Sequence, residues 1–99
     1  MKEIDISPCE AQLLVCTHER PDGLECCSKV GGLAIFQKFK SRCKEENRQA
    51  HHWVNRTGCL GFCNSVGTTV AIHKKDGSRV WFNEVQPQDI EPIWDQFTK

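Results

Sequence analysis

Ala11-Gln12-Leu13-Leu14-Val15-Cys16 is a short, nearly continuous apolar run, entered after Pro8 and left through a polar segment. Such a run fits a strand buried on both faces, as in a sheet covered by helices. The following Thr17-His18-Glu19-Arg20-Pro21-Asp22-Gly23-Leu24-Glu25 carries Pro and Asp-Gly and reads as a loop. From Ser28 to about Asn47 the period becomes helical. Gly32, Phe36, Phe39 and Cys43 recur in steps of three and four, with Leu33 and Ile35 beside them and charged residues elsewhere. Gly31-Gly32 weakens the start of this helix, and close approach to another backbone accounts for the pair. Cys43 lies on the apolar face and reads as a buried small hydrophobe. His51-His52-Trp53-Val54-Asn55-Arg56 then forms a second strand. A helical crossover between two strands makes them parallel and the connection right-handed.

The second half changes style. Thr69-Val70-Ala71-Ile72-His73 and Val80-Trp81-Phe82-Asn83-Glu84-Val85 flank a segment centred on Asp76-Gly77, a strong hairpin signal. Ile90, Ile93, Trp94 and Phe97 make an i, i+3, i+4, i+7 stripe, so the chain closes with a helix. Pro87 suits its first residue, and Pro92 is accommodated when the regular part starts near Asp89. The order is β-α-β, then β-β-α. The expected fold is α/β: one mixed sheet with helices packed on it. Residues 1–10 read as a flexible lead-in, and residues 11–99 as a single domain.

Composition narrows the functions. Of 99 residues, 38% are apolar and 26% charged, and the 13 Lys and Arg equal the 13 Asp and Glu. No global field favours nucleic acid or an anionic membrane. No apolar run approaches the roughly 20 residues a spanning helix needs, and the charged first ten residues do not resemble a signal peptide. A cytoplasmic location is expected. Against that background, seven cysteines are too many for incidental use. In a reducing compartment dense cysteine points to metal or redox chemistry rather than a disulfide framework.

The predicted topology gathers four of these thiols. Cys16 ends the first strand at the carboxyl edge of the parallel pair. Cys27 precedes the crossover helix, which must begin near that edge. The second strand ends just before Thr57-Gly58-Cys59-Leu60-Gly61-Phe62-Cys63, a glycine-rich turn with a Cys-x3-Cys pair. The carboxyl edge of parallel strands is where open α/β folds bind ligands. Four convergent thiolates imply a metal centre, either structural zinc or an iron–sulfur cluster. Zinc sites usually bring ligands in close pairs, whereas here the first pair is spread over a ten-residue loop. Gly58, Gly61 and Gly67 would let backbone turn and approach a larger group, and the crossover helix aims its positive end there.

At these residues the chain resembles a known family. Val15-Cys16-Thr17, Arg20-Pro21, Cys27-Ser28-Lys29-Val30-Gly31-Gly32, the Thr57–Cys63 turn, and Trp81-Phe82 followed by Val85-Gln86-Pro87-Gln88-Asp89-Ile90 look like the thioredoxin-like [2Fe–2S] ferredoxins. The resemblance runs from about Gln12 to Phe97. It implies a thioredoxin-like fold, one [2Fe–2S] cluster on Cys16, Cys27, Cys59 and Cys63, one-electron transfer with redox partner proteins, and a tendency to form homodimers. Counting back from Gly31 in the family motif makes Cys27 the ligand, with Cys26 its substitute, where the family usually has a small residue. The family's Gly-Pro after the fourth cysteine is replaced by Asn64-Ser65-Val66, and its Trp-Tyr by Trp81-Phe82.

Other readings compete. Cys16-Thr17-His18 matches the first half of a Rieske motif, but no Cys-x-x-His follows, so His18 reads as a loop residue able to tune a cluster. His51, His52 and His73 read as strand residues facing solvent or neighbours. A thiol–disulfide enzyme lacks its Cys-x-x-Cys. A four-cysteine zinc module, structural or regulatory, and a thiol or redox sensor remain the alternatives. Cys9 reads as an incidental thiol. No catalytic set is expected, and outer-sphere transfer requires no substrate pocket. Leu24, Leu60 and Phe62 either contact a redox partner or pack inward over the cluster.

Overall fold

The computed structural model describes residues 1–18, 31–62 and 66–99. Its elements are β1 (Ala11–Cys16), α1 (Gly32–Glu45), β2 (His52–Thr57), β3 (Thr68–Lys74), β4 (Arg79–Val85) and α2 (Ile90–Thr98), the last preceded by a 3-10 turn over Pro87–Asp89. One sheet has the order β2-β1-β3-β4, with β1 parallel to β2 and the other two pairings antiparallel. This is the mixed sheet expected from the sequence.

Both helices pack on one face. Leu13 and Val15 of β1, Val54 of β2, and Val70 and Ile72 of β3 meet Ile35, Phe39 and Cys43 of α1 and Ile93, Trp94 and Phe97 of α2 in one core. Phe39 stacks on Trp94 with ring centroids 6.2 Å apart. Arg42 clamps the two helices from outside, pairing with Glu91 and lying 5.1 Å above the Trp94 ring. Side chains alternate across a strand, so Gln12, Leu14 and Cys16 share the other, outer face. Gln12 and Leu14 are only half-buried there. β1 is therefore not covered by helices on both sides, which corrects the expectation. The strand buried along most of its length is β3.

Gly31 sits at φ 85, a left-handed conformation that regular helix cannot include, so α1 begins at Gly32. Residues 28–30 of the expected helix lie outside the described residues. Among the described residues, chain neighbours aside, no atom lies within 4 Å of where a Gly31 Cβ would stand, and its left-handed φ accounts for the glycine. Ile35 rather than Phe36 enters the core, while Phe36 is half-buried and Leu33 exposed. Asn47, at φ 55, ends the helix, with its own N–H donating to Lys44 C=O at 3.1 Å and that of Arg48 to Cys43 C=O at 2.9 Å.

In the β3–β4 hairpin, Gly77 is left-handed at φ 91 and Asp76 Oδ1 accepts the Ser78 N–H at 2.8 Å. Near the other end the register slips: Thr68 pairs with Val85 but Val70 with Phe82, so β4 carries one extra residue. Glu84, at φ 55, absorbs that bulge. Pro87 opens the 3-10 turn, and Pro92 falls in the first turn of α2, where a missing N–H is tolerated.

Candidate functional site

Cys16 and Cys59 leave the sheet at the same end. Cys16 is the last residue of β1 and pairs in register with Thr57, the last residue of β2; Cys59 follows two residues later. Three contacts fix this end. Thr17 N–H donates to Thr57 C=O at 3.1 Å, extending the parallel ladder by one residue. Thr17 Oγ1 donates to the same carbonyl at 3.4 Å. Thr68 Oγ1, from the start of β3, donates to Cys16 C=O at 2.7 Å in a buried position. Cys16 itself is 1% exposed and Cys59 is exposed.

The three glycines expected to serve one purpose serve different ones. Gly61 takes φ 92, and its N–H donates to Cys59 Sγ at 3.2 Å. An N–H aimed at sulfur stabilises a thiolate, so this turn suits a metal-ligating cysteine. Gly67 is a close-approach glycine: a Cβ there would lie 2.3 Å from Val85 O and 2.7 Å from Val85 N. It seats the entry to β3 against the β4 bulge. Among the described residues, chain neighbours aside, nothing lies within 4 Å of the Gly58 Cβ position, and its φ is not left-handed.

The Gly58–Phe62 segment then crosses the sheet. It departs from β2 at one edge, yet the Phe62 ring meets Trp81 of β4 at the opposite edge, centroids 6.1 Å apart and nearly perpendicular. The crossing lies on the outer face, the face that carries Cys16. Phe62 and Trp81 stay 52% and 46% exposed, and Leu60 is half-buried. Sequence reasoning missed this contact of Trp81. Its polar neighbours at alternate positions, Arg79 and Asn83, were the signal that its face of β4 looks outward.

Cys9 and Cys43 belong to the other end of the sheet. Cys9 Sγ donates to Ala11 C=O at 3.3 Å, and Cys43 Sγ to His52 C=O at 3.2 Å. Burial pushes both thiols up, which keeps them protonated. His52 is buried edge-on against Phe97, centroids 5.2 Å apart, and burial lowers its pKa. It is a core residue, not one facing solvent. His51 lies in the turn before β2. Its Nδ1 sits 3.0 Å from Pro8 O. His73 tilts against Trp81, and His18 is half-buried beside the thiol end.

Cys26, Cys27, Cys63 and Leu24 lie outside the described residues. Among the described residues no three His, Cys, Asp or Glu side chains meet as a metal site. The described half of the expected ligand set is thus Cys16 and Cys59, one anchored through its carbonyl and one receiving an N–H at sulfur. Soft thiolate donors with backbone N–H support fit an iron–sulfur group. No helix among the described residues is long and apolar enough to cross a membrane.

No family profile and no curated protein matches the chain. Solved structures do. A wild-type thioredoxin-like [2Fe–2S] ferredoxin from Aquifex aeolicus aligns at 26% identity over 89% of this chain and 84% of its own, with a TM-score of 0.73. A cysteine-to-serine variant from the same organism aligns at 26% identity over 90% and 87%, with a TM-score of 0.74. A further thioredoxin-like [2Fe–2S] ferredoxin structure from Aquifex aeolicus aligns at 25% identity over 92% and 82%, with a TM-score of 0.73. The resemblance read from the cysteines and glycines therefore extends to the backbone: over about nine-tenths of its length the chain is similar, in fold and in sequence, to the thioredoxin-like [2Fe–2S] ferredoxins.

Proposed function

We propose that the chain is a cytoplasmic one-electron carrier, not an enzyme, whose Cys16, Cys27, Cys59 and Cys63 thiolates hold a [2Fe–2S] cluster, with Cys26 able to substitute for Cys27. The observation that carries this reading is the Gly61 N–H on Cys59 Sγ at 3.2 Å, at the sheet end that also carries Cys16. When bound, such a cluster supplies reversible one-electron redox chemistry. The chain's own residues do the rest. Thr17 ties the end of β1 to that of β2 and Thr68 ties it to β3, so Cys16 and the Cys59 turn start from a rigid base. Gly61 adds a partial positive charge at sulfur, which favours the more negative, reduced state. Phe62 and Trp81 form an apolar rim beside the turn, suited to excluding water when a redox protein docks. One electron enters from a reduced donor and leaves to an oxidised acceptor, with no bond made or broken and no proton required.

The test is a visible spectrum of anaerobically purified protein before and after dithionite. Sulfide-to-iron charge-transfer bands that bleach on reduction are expected. A colourless protein carrying one zinc per chain would refute the proposal.

A further inference from the structure

The sheet has two outer strands, and their outward backbone groups differ. On β2, Ala11 N–H donates to His51 C=O at 3.4 Å and Thr17 N–H to Thr57 C=O at 3.1 Å, so odd-numbered residues face β1. His52, Val54 and Arg56 consequently face outward. Three of those outward groups are taken. His52 N–H donates to Arg48 C=O at 2.8 Å, Cys43 Sγ donates to His52 C=O at 3.2 Å, and Lys40 Nζ donates to Val54 C=O at 3.1 Å. From the His52 N–H to the Val54 C=O, most of the β2 edge is occupied by its own crossover helix and the turn that follows.

On β4 the hairpin sets the alternation. Lys74 N–H donates to Ser78 C=O at 2.9 Å, so the Ile72–Val80 and Val70–Phe82 pairs carry the ladder bonds. Arg79 and Trp81 then turn their N–H and C=O outward. Among the described residues no hydrogen bond reaches those groups. The open stretch ends at the Glu84 bulge. An edge with unpaired donors and acceptors is a template for an added strand. Beside it stand Trp81 and Phe62, both about half exposed, and Phe62 lies three residues beyond Cys59. At the hairpin end Arg79 is exposed and makes no ion pair among the described residues, whereas Lys74 Nζ donates to Lys99 O at 3.5 Å and Lys75 lies near the Asp5 carboxylate.

We infer that β4 takes an extended segment of the redox partner as a fifth strand, with an apolar side chain of that segment against Trp81 and a carboxylate against Arg79. The partner's identity rests on the electron-carrier reading; the mode of binding does not. Strand addition here would dock the partner within the length of one aromatic pair from the Cys59 turn. A second copy fits less well. An antiparallel copy that pairs outward groups sets Arg79, Trp81 or Asn83 opposite Arg79, never a carboxylate.

The probe is the capped peptide Thr-Val-Thr-Glu-Thr, fluorescently labelled and titrated against the metal-loaded protein. Anisotropy should saturate, and amide exchange over residues 79–82 should slow about tenfold while residues 52–57 are unchanged. Replacing the peptide's Glu by Lys should weaken binding about tenfold, and Arg79→Glu should reverse that preference. Arg79→Pro removes an outward N–H, a loss that an edge strand tolerates, as well as the guanidinium, and should weaken binding about tenfold beyond Arg79→Ala, which removes the guanidinium alone. The charge reversal does not depend on the proline variant folding. Absence of saturation, or protection at β2 instead, overturns the inference. Protection of 79–82 without peptide that rises with protein concentration gives the edge to a second copy and also overturns it. The dithionite spectrum is read separately, so losing the cluster reading and losing strand addition are distinguishable outcomes.

Discussion

The two ends of the β1–β2 pair each carry two described cysteines, and they use the same side chain for opposite purposes. At one end Cys16 and Cys59 sit among backbone groups that anchor a carbonyl and donate to a sulfur. At the other, Cys9 and Cys43 act as donors to carbonyls, and burial holds their protons on. A thiol that receives a hydrogen bond is prepared to be a thiolate. A thiol that gives one away is a short polar staple. Counting cysteines cannot separate the two; the direction of the hydrogen bond can.

The largest expected effect breaks this contrast directly. Cys16→Ala or Cys59→Ala should abolish the visible spectrum of the purified protein, whereas Cys9→Ala and Cys43→Ala should retain it. Loss of colour in either of the latter would mean that the ends have been assigned the wrong way round. Cys43→Ala should instead lower stability by about 1 kcal/mol, because its hydrogen bond to His52 is lost.

Gly67→Ala comes next and tests how rigid the thiol end is. Its Cβ would have to displace the Glu84–Val85 backbone, an overpacking that should cost about 3 kcal/mol in urea unfolding. Thr68 is the next residue, so the anchor on Cys16 should loosen as well, and metal should be lost faster to a chelator. An alanine that folds with unchanged stability would show that the strap entering β3 yields easily.

The smallest effect belongs to the far end and is read by pH. Burial, and then Arg48, hold the His52 pKa below the ordinary 6.5, with Glu10 opposing. The unfolded chain therefore takes up a proton near pH 6.5 that the folded chain refuses. Stability from this site is full above that pH and falls as pH drops through the interval between the unfolded and folded values. Below the folded value no more is lost. The slope cannot exceed about 1.4 kcal/mol per pH unit for one proton. Denaturation curves between pH 7.5 and 5 should show the decline, and His52→Phe should flatten it; an equal slope in that variant would put the proton elsewhere.

Much of the fold was legible because its signals are local. The apolar run ending at Cys16, the helical period through Phe39 and Cys43, Asp76-Gly77 and the Ile90–Phe97 stripe each name their element without reference to the rest. What escaped depends on neighbours. Nothing in Leu13-Leu14 tells that only one of the two leucines meets helices, because that depends on which face of the sheet the helices cover. Gly31 and Gly67 look alike in sequence, yet one answers to its own φ and the other to the β4 backbone. Of the site, the sheet end from which Cys16 and Cys59 both leave was readable, since a parallel crossover leaves few alternatives. The partnership of Phe62 with Trp81 was not, because it joins opposite edges of the sheet. Cys26, Cys27 and Cys63 lie outside the described residues.

The Cys43 contact with His52 has a consequence for shelf life. Cys43 is 2% exposed and stays protonated, so air oxidation, which needs an accessible thiolate, reaches it slowly. Cys59, by contrast, is exposed. An ageing preparation should therefore fade while still clear, and turbidity should follow only after Cys43 is oxidised and the β2 backbone is laid open.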